Sequence, residues 1–322
     1  MSLEDAKTQT DLAFTRKDRR GLAFENAFGG ATSFMRRQYS KDIAGADLVV
    51  TGVPFDQAVT HRPGTRFGPR AIREASTLQP YDPPYGWDGF DPLSAFEIVD
   101  YGDMPFDYAN VAGVPNLVEA HIKTIINQGP ATVTLGGDHF ITLPILRAYA
   151  AKFGPMSVIQ FDAHSDLWAD DDMSRIDHGT FMYKAVKLGL VDVTRSVQIG
   201  IRTECDDYCG MPYIDAREVH EKGAAYVVDK VKKIVGDAAT YVTFDIDALD
   251  PAFAPGTGTP VWAGLASWQT AAILRDLAGI NCVGGDIVEV SPPYDPTGAT
   301  AIAGAHVAME ICCLALWNKR KK

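Results

Sequence analysis

The chain has 322 residues, 46% of them hydrophobic and 22% charged, the balance of one large α/β domain or two ordinary globular ones. A formal net charge of -11 argues against nucleic acid or an anionic membrane as partner and favours cationic ligands. Five cysteines, an odd count without framework spacing, point to reduced thiols and a cytoplasmic setting. The first residues, MSLEDAKTQTD, hold no apolar core of a signal peptide, and no apolar run is expected to reach the ~20 residues that cross a bilayer.

Residues 1–45 lack periodicity and read as an N-terminal arm, with a basic patch from Arg16 to Arg20 that is solvated or packs on a neighbouring subunit. Residues 46–322 read as a single catalytic domain. Ala46 to Pro54 is the first buried strand, apolar and closed by glycine and proline. A loop carrying His61, Arg62 and Arg66 follows, and Pro69 opens a helix. Residues 77–95 are rich in Pro, Gly and Tyr and read as a long surface loop. The remaining predicted strands are 96–100, 131–135, a central one ending at Ile159, 196–201, 240–244 and 282–288. Helices are expected at 116–127, 142–153, across the apolar 186–191 stretch, at 226–235, at 268–277 and at 300–317, with a basic tail after the last. This alternation implies a three-layer α/β/α domain with a mostly parallel central sheet and right-handed crossovers. Ligands of such sheets gather at the carboxyl ends of the strands.

Three predicted strand ends carry the chemistry. The first offers His139 after Gly136-Gly137-Asp138. The second is Phe161-Asp162-Ala163-His164-Ser165-Asp166, where Asp162, His164 and Asp166 share one face of an extended segment. The third offers Asp245 and Asp247. Carboxylates converging at the mouth of buried strands need a countercharge. Two imidazoles and four carboxylates exceed what one divalent ion requires, but suit two ions about 3.5–4 Å apart that share carboxylates. Asp162 and Asp245, each first in its set, are the natural bridges. An oxygen-rich set without thiolate favours Mn²⁺ over zinc. Asp138 and Asp250 read as supporting or turn residues. Cys205 and Cys209 read as loop thiols, Cys312 and Cys313 as core, and His61, His220 and His306 have no assigned partner.

These three motifs resemble the metal motifs of the ureohydrolases, the family of arginase, agmatinase, guanidinobutyrase and proclavaminate amidinohydrolase. The resemblance runs from about Asp47 to the C-terminal helix. It includes Asp177-His178-Gly179-Thr180, Gln198 to Glu204, Ala254 to Pro260 and Glu289 to Asp295, several of them in agmatinase-like form. It implies two manganese ions per chain, one held by His139, Asp162, Asp166 and Asp245, the other by Asp162, His164, Asp245 and Asp247. It also implies a homo-oligomer, a trimer or hexamer, and hydrolysis of a linear guanidino compound to urea by attack of a metal-bridging hydroxide on the guanidinium carbon.

In that chemistry the departing amine needs a proton, which His178 is suited to shuttle near neutral pH. Glu289 is placed to hold the guanidinium by charged hydrogen bonds. Agmatine is the expected substrate, giving putrescine. The acidic loops with Asp170-Asp171-Asp172 and with Glu204, Asp206 and Asp207 favour a cationic tail, whereas Arg175 or Arg62 could pair with a carboxylate. Alternatives are 4-guanidinobutyrate or another guanidino compound, and, from a different class, a single-zinc deacylase using the Asp-x-His at 162–164.

Overall fold

A computed structural model describes residues 29–80 and 82–320. The basic patch at Arg16–Arg20 lies outside them, as do the last two lysines. The strands are β1 (Gln38–Tyr39), β2 (Leu48–Val53), β3 (Ile98–Asp103), β4 (Ala131–Gly136), β5 (Ser157–Phe161), β6 (Val197–Ile201), β7 (Tyr213–Asp215), β8 (Thr240–Asp245) and β9 (Cys282–Val288). They form one sheet in the order β1-β3-β2-β4-β9-β8-β5-β6-β7, with every neighbouring pair parallel. Strands β2, β4, β5, β6 and β8 are buried along their whole length, as expected of a parallel sheet covered on both faces.

The helices are α1 (Gly68–Ser76), α2 (Pro92–Ala95), α3 (Val114–Ile126), α4 (Thr142–Phe153), α5 (Phe181–Lys187), α6 (Ala216–Lys222), α7 (Ala224–Val235), α8 (Ser267–Asp276) and α9 (Ala299–Trp317). Alternate strand residues face opposite layers. Val158 and Tyr241 pack with α3, α4 and α5. Their successors Ile159 and Val242 pack with α1, α6, α7, α8 and α9. This is the three-layer α/β/α architecture read from the sequence.

Several local expectations change. The 77–95 stretch is not all surface loop: Trp87 and Leu93 are buried, and Trp87 Nε1 donates to Glu310 on α9. The 186–191 stretch is not a continuous helix, because α5 ends at Lys187 and Gly189 takes a left-handed φ of 67°. Strands β1 and β7 and helix α6 have too little apolar periodicity to be read from sequence. Ser33–Ile43, placed in the arm by sequence, lies against the sheet edge: Phe34 N donates to Asp100 Oδ2 at 2.7 Å, and β1 pairs with β3. Helix α9 has the length and apolarity of a membrane span, contrary to expectation, yet most of it is buried against the core.

The central four strands, β4-β9-β8-β5, place their carboxyl ends side by side. The residues that leave these ends are His139, Glu289, Asp245 with Asp247, and Asp162 with His164 and Asp166.

Candidate metal centre

The three strand ends meet at His139. Its Nδ1 lies 3.0 Å from Asp162 Oδ2 and 3.2 Å from both Asp166 Oδ2 and Asp245 Oδ2. Next to it, His164 Nδ1 lies 3.1 Å from Asp247 Oδ2 and 3.5 Å from Asp162 Oδ1. Asp162 therefore gives one oxygen to each group. Asp245 gives Oδ2 to the first group, while its Oδ1 accepts the N–H of Asp247 at 2.8 Å. All six residues singled out from the sequence thus converge, five of them as two adjoining groups sharing Asp162 and Asp166 through its approach to His139.

Local backbone geometry aims these side chains. Gly137 has φ 40°, and a Cβ there would fall 2.4 Å from the carbonyl oxygen of Val53, so only glycine turns β4 toward the site. Asp166 and Glu289 adopt left-handed φ values of 53° and 63°, sparsely populated for residues with a Cβ. The Asp166 carbonyl accepts the N–H groups of Met182 and Tyr183, which are orphan donors in the first turn of α5. Asp138 caps its own turn through Phe140 N at 3.0 Å and Asp250 accepts from Ala252 N and Gly264 N, both acting as turn residues.

The state of His139 is set from behind. Its Nε2 lies 2.8 Å from Thr243 Oγ1, and Thr243 donates its single proton to Asp286 Oδ1 at 2.6 Å. The Asp286 carboxylate also accepts from Thr142 and Tyr241, both at 2.9 Å. Thr243 must then accept from His139 Nε2–H, so that in the neutral imidazole Nδ1 carries the lone pair. That nitrogen is buried, has no hydrogen-bond partner among the described residues and faces three carboxylate oxygens. A lone pair among carboxylates is repulsive unless a positive charge sits between them: burial opposes a proton there, but Asp162, Asp166 and Asp245 hold His139 well above the usual imidazole range. Burial, then the charges of Asp247 and Asp162, push Asp245 well above the usual carboxylate range. Burial and Asp162 push Asp166 up to about 6. Burial opposes protonation of His164, but the carboxylates of Asp247 and Asp162 lift it to about 12. A site that draws protons this strongly, with an orphaned imidazole nitrogen at its centre, fits divalent cations.

The sequence reading missed Thr243 and Asp286, which are cross-strand partners on β8 and β9. It also missed Gln160, which donates to Asp162 Oδ2 at 2.8 Å and is held by its cross-strand partner Gln198 at 2.8 Å. The available signal was polar side chains inside otherwise apolar buried strands.

His178 and Glu289 stand beside these groups. His178 Nδ1 is 3.2 Å from Glu289 Oε1, and His178 Nε2 is 3.0 Å from Thr60 Oγ1. Burial works against charge on His178, but the hydrogen bond and charge of Glu289 lift it to about 9. Glu289 Oε1 also accepts from His139 N at 2.9 Å, whereas its Oε2 is buried without a hydrogen-bond partner among the described residues. A cavity of about 330 Å³ opens here, lined by Asp166, Asp245, His164, His178, Trp168 and Asp177 among others, with no Lys or Arg among the described lining residues.

An arginase-family model matches residues 46–313. A protein named agmatinase from Chromobacterium violaceum is 48% identical over 320 residues, 99% of this chain and 98% of that one. One from Proteus mirabilis is 45% identical over 300 residues, 90% of this chain and 93% of that one. A solved structure described as a hypothetical agmatinase from Burkholderia thailandensis has TM-score 0.93 at 50% identity, covering 96% of this chain and 98% of that one. Proclavaminate amidinohydrolase from Streptomyces clavuligerus has TM-score 0.84 at 35% identity, covering 90% and 99%. The chain belongs to the arginase family and is a hydrolase acting on a guanidino C–N bond.

Proposed function

We propose that this enzyme hydrolyses agmatine to putrescine and urea with two Mn²⁺ ions per chain. The observation that carries the reading is the cavity beside the paired ligand groups, acidic and free of Lys and Arg among its described lining residues, with Glu289 hydrogen-bonded to its lining residue His178. The sequence similarity to proteins named agmatinase supports the same substrate.

In this reading His139, Asp162, Asp166 and Asp245 would hold one ion, and Asp162, His164, Asp247 and Asp245 would hold the other. Bound divalent cations supply the activation of water to hydroxide near neutral pH, without which a resonance-stabilised guanidinium resists attack. Glu289 receives the guanidinium N–H groups on its free oxygen and turns the carbon toward the ligand groups. His178 carries a proton to the departing amine, and the exposed Thr60 links its far nitrogen to solvent. Water and agmatine become urea and protonated putrescine. The single-zinc alternative leaves the His139 group without a purpose.

We read residues 46–322 as one catalytic domain, with 1–45 as an arm whose later part, Ser33–Ile43, lies on its edge. We also propose a cytoplasmic homo-oligomer, a trimer or hexamer. All five thiols are free, which suits a reducing compartment. Trp268 and Ile302, 68% and 43% exposed, line an apolar groove suited to a second copy.

Urea release from agmatine, 4-guanidinobutyrate, arginine and guanidine tests the substrate. Agmatine should have the highest kcat/KM. A tenfold or greater advantage for another compound, about 1.4 kcal/mol in transition-state binding, would overturn the assignment.

A further inference from the structure

We infer that Trp168 and Asp177 form the subsite that selects a cationic tail on the guanidino substrate, presented by a loop clamped onto α5. The inference rests on the substrate reading above. Both side chains line the cavity outside the candidate metal ligands. The indole ring of Trp168 lies 6.2 Å from the His164 ring at an interplanar angle of 51°, so it walls the cavity beside that ligand. A Cβ at Gly179 would come within 3.3 Å of Trp168 Cε3; glycine lets the indole close against the His178 turn.

Asp177 Oδ1 caps that turn through Gly179 N at 2.9 Å. Its Oδ2 faces Arg175 Nη2 at 3.3 Å, but the Arg175 side chain is 62% exposed and does not line the cavity. An aromatic face with a carboxylate beside it is a receptor for a primary ammonium. A carboxylate tail would meet the Asp177 carboxylate there, with neither Lys nor Arg among the described lining residues to pair with it.

The loop between these two residues is fixed from below. Lys184 is fully buried; its Nζ forms an ion pair with Asp170 Oδ2 at 2.9 Å and donates to the Arg175 carbonyl at 2.6 Å. Its neighbour Tyr183 donates to Asp171 Oδ1 at 2.9 Å. Two consecutive α5 residues therefore grip the loop at three points, so the wall is preorganised rather than assembled on binding. The same contacts correct the expectation that the 170–172 run attracts the tail. Asp170 and Asp171 serve the clamp, Asp172 caps its own turn through Ser174 N, and Glu204, Asp206 and Asp207 do not line the cavity.

The test compares kcat/KM for agmatine with that for butylguanidine, which puts a methyl group where agmatine has its ammonium. Trp168→Leu keeps apolar bulk without the aromatic face. Asp177→Asn keeps an acceptor for the turn and removes the charge. Each should lower the agmatine-to-butylguanidine ratio roughly threefold to thirtyfold, the worth of a cation over an aromatic face. Arg175→Gln, which frees Asp177 Oδ2, should raise it. A ratio unmoved in both Trp168→Leu and Asp177→Asn, with wild type still preferring agmatine to 4-guanidinobutyrate, overturns the subsite alone. A fall in Arg175→Gln also overturns it, by assigning the tail to Arg175. A wild-type preference for 4-guanidinobutyrate overturns the substrate reading and the subsite together.

Discussion

At His139 the tautomer is chosen by residues on two neighbouring strands. Asp286 takes the Thr243 proton, Thr243 takes the Nε2 proton, and Nδ1 is left to face the carboxylates. Thr243→Val removes that acceptor while keeping the shape. It should weaken metal binding by about 10–100-fold, the usual worth of a partner that orients a ligand. Metal titration by calorimetry would measure this, and unchanged affinity would show that the chain of hydrogen bonds does not orient His139. His178 makes a contrasting prediction, since it lies outside both ligand groups. His178→Ala should retain its metals while turnover falls by about 10²–10⁴-fold, the range of general acid–base catalysis. Elemental analysis beside the rate separates the outcomes; wild-type turnover with the same pH profile would remove His178 from the proton path.

At the scale of elements, the edge of the sheet depends on a buried charge cluster between α1 and β3. Arg73 pairs with Asp100 through Nε at 2.8 Å and Nη2 at 3.0 Å, and with Asp103 through Nη1 at 2.6 Å. Asp100 also holds Phe34 N, which ties the 33–43 stretch to the sheet. Arg73→Met would strand a fully buried carboxylate, a loss of about 3–5 kcal/mol. A urea midpoint lowered in proportion, with kcat unchanged in the folded protein, is expected; an unaltered midpoint would mean that Asp100 finds another partner or a proton. This cluster was not legible from the sequence, because Arg73 and Asp100 look there like surface charges on separate elements. Strands β1 and β7 escaped for a related reason: at two and three residues they are too short to show a period, and the sheet alone defines them. The central strands were legible because burial on both faces makes them continuous apolar runs.

For the whole molecule, the parallel order of the sheet brings four strand ends into one place. That is why the six candidate ligands could be read from sequence: each motif follows a recognisable buried strand, and such strands deliver their ends to one crevice. The orienting polar residues inside the strands could not be read this way, since their partners depend on cross-strand register. The net charge of -11 and the acidic cavity act together on approach of the substrate. kcat/KM should fall with rising salt, more steeply for dicationic agmatine than for guanidine; equal slopes would deny any contribution from the tail charge. The two-metal site is central, because the side chains assigned to the reaction stand around the two groups sharing Asp162. Its most direct test is urea release from agmatine as metal-free protein is titrated with Mn²⁺. Activity should rise until two manganese ions are bound per chain and then level off, whereas full activity with one zinc per chain, and no gain from manganese, would contradict the account.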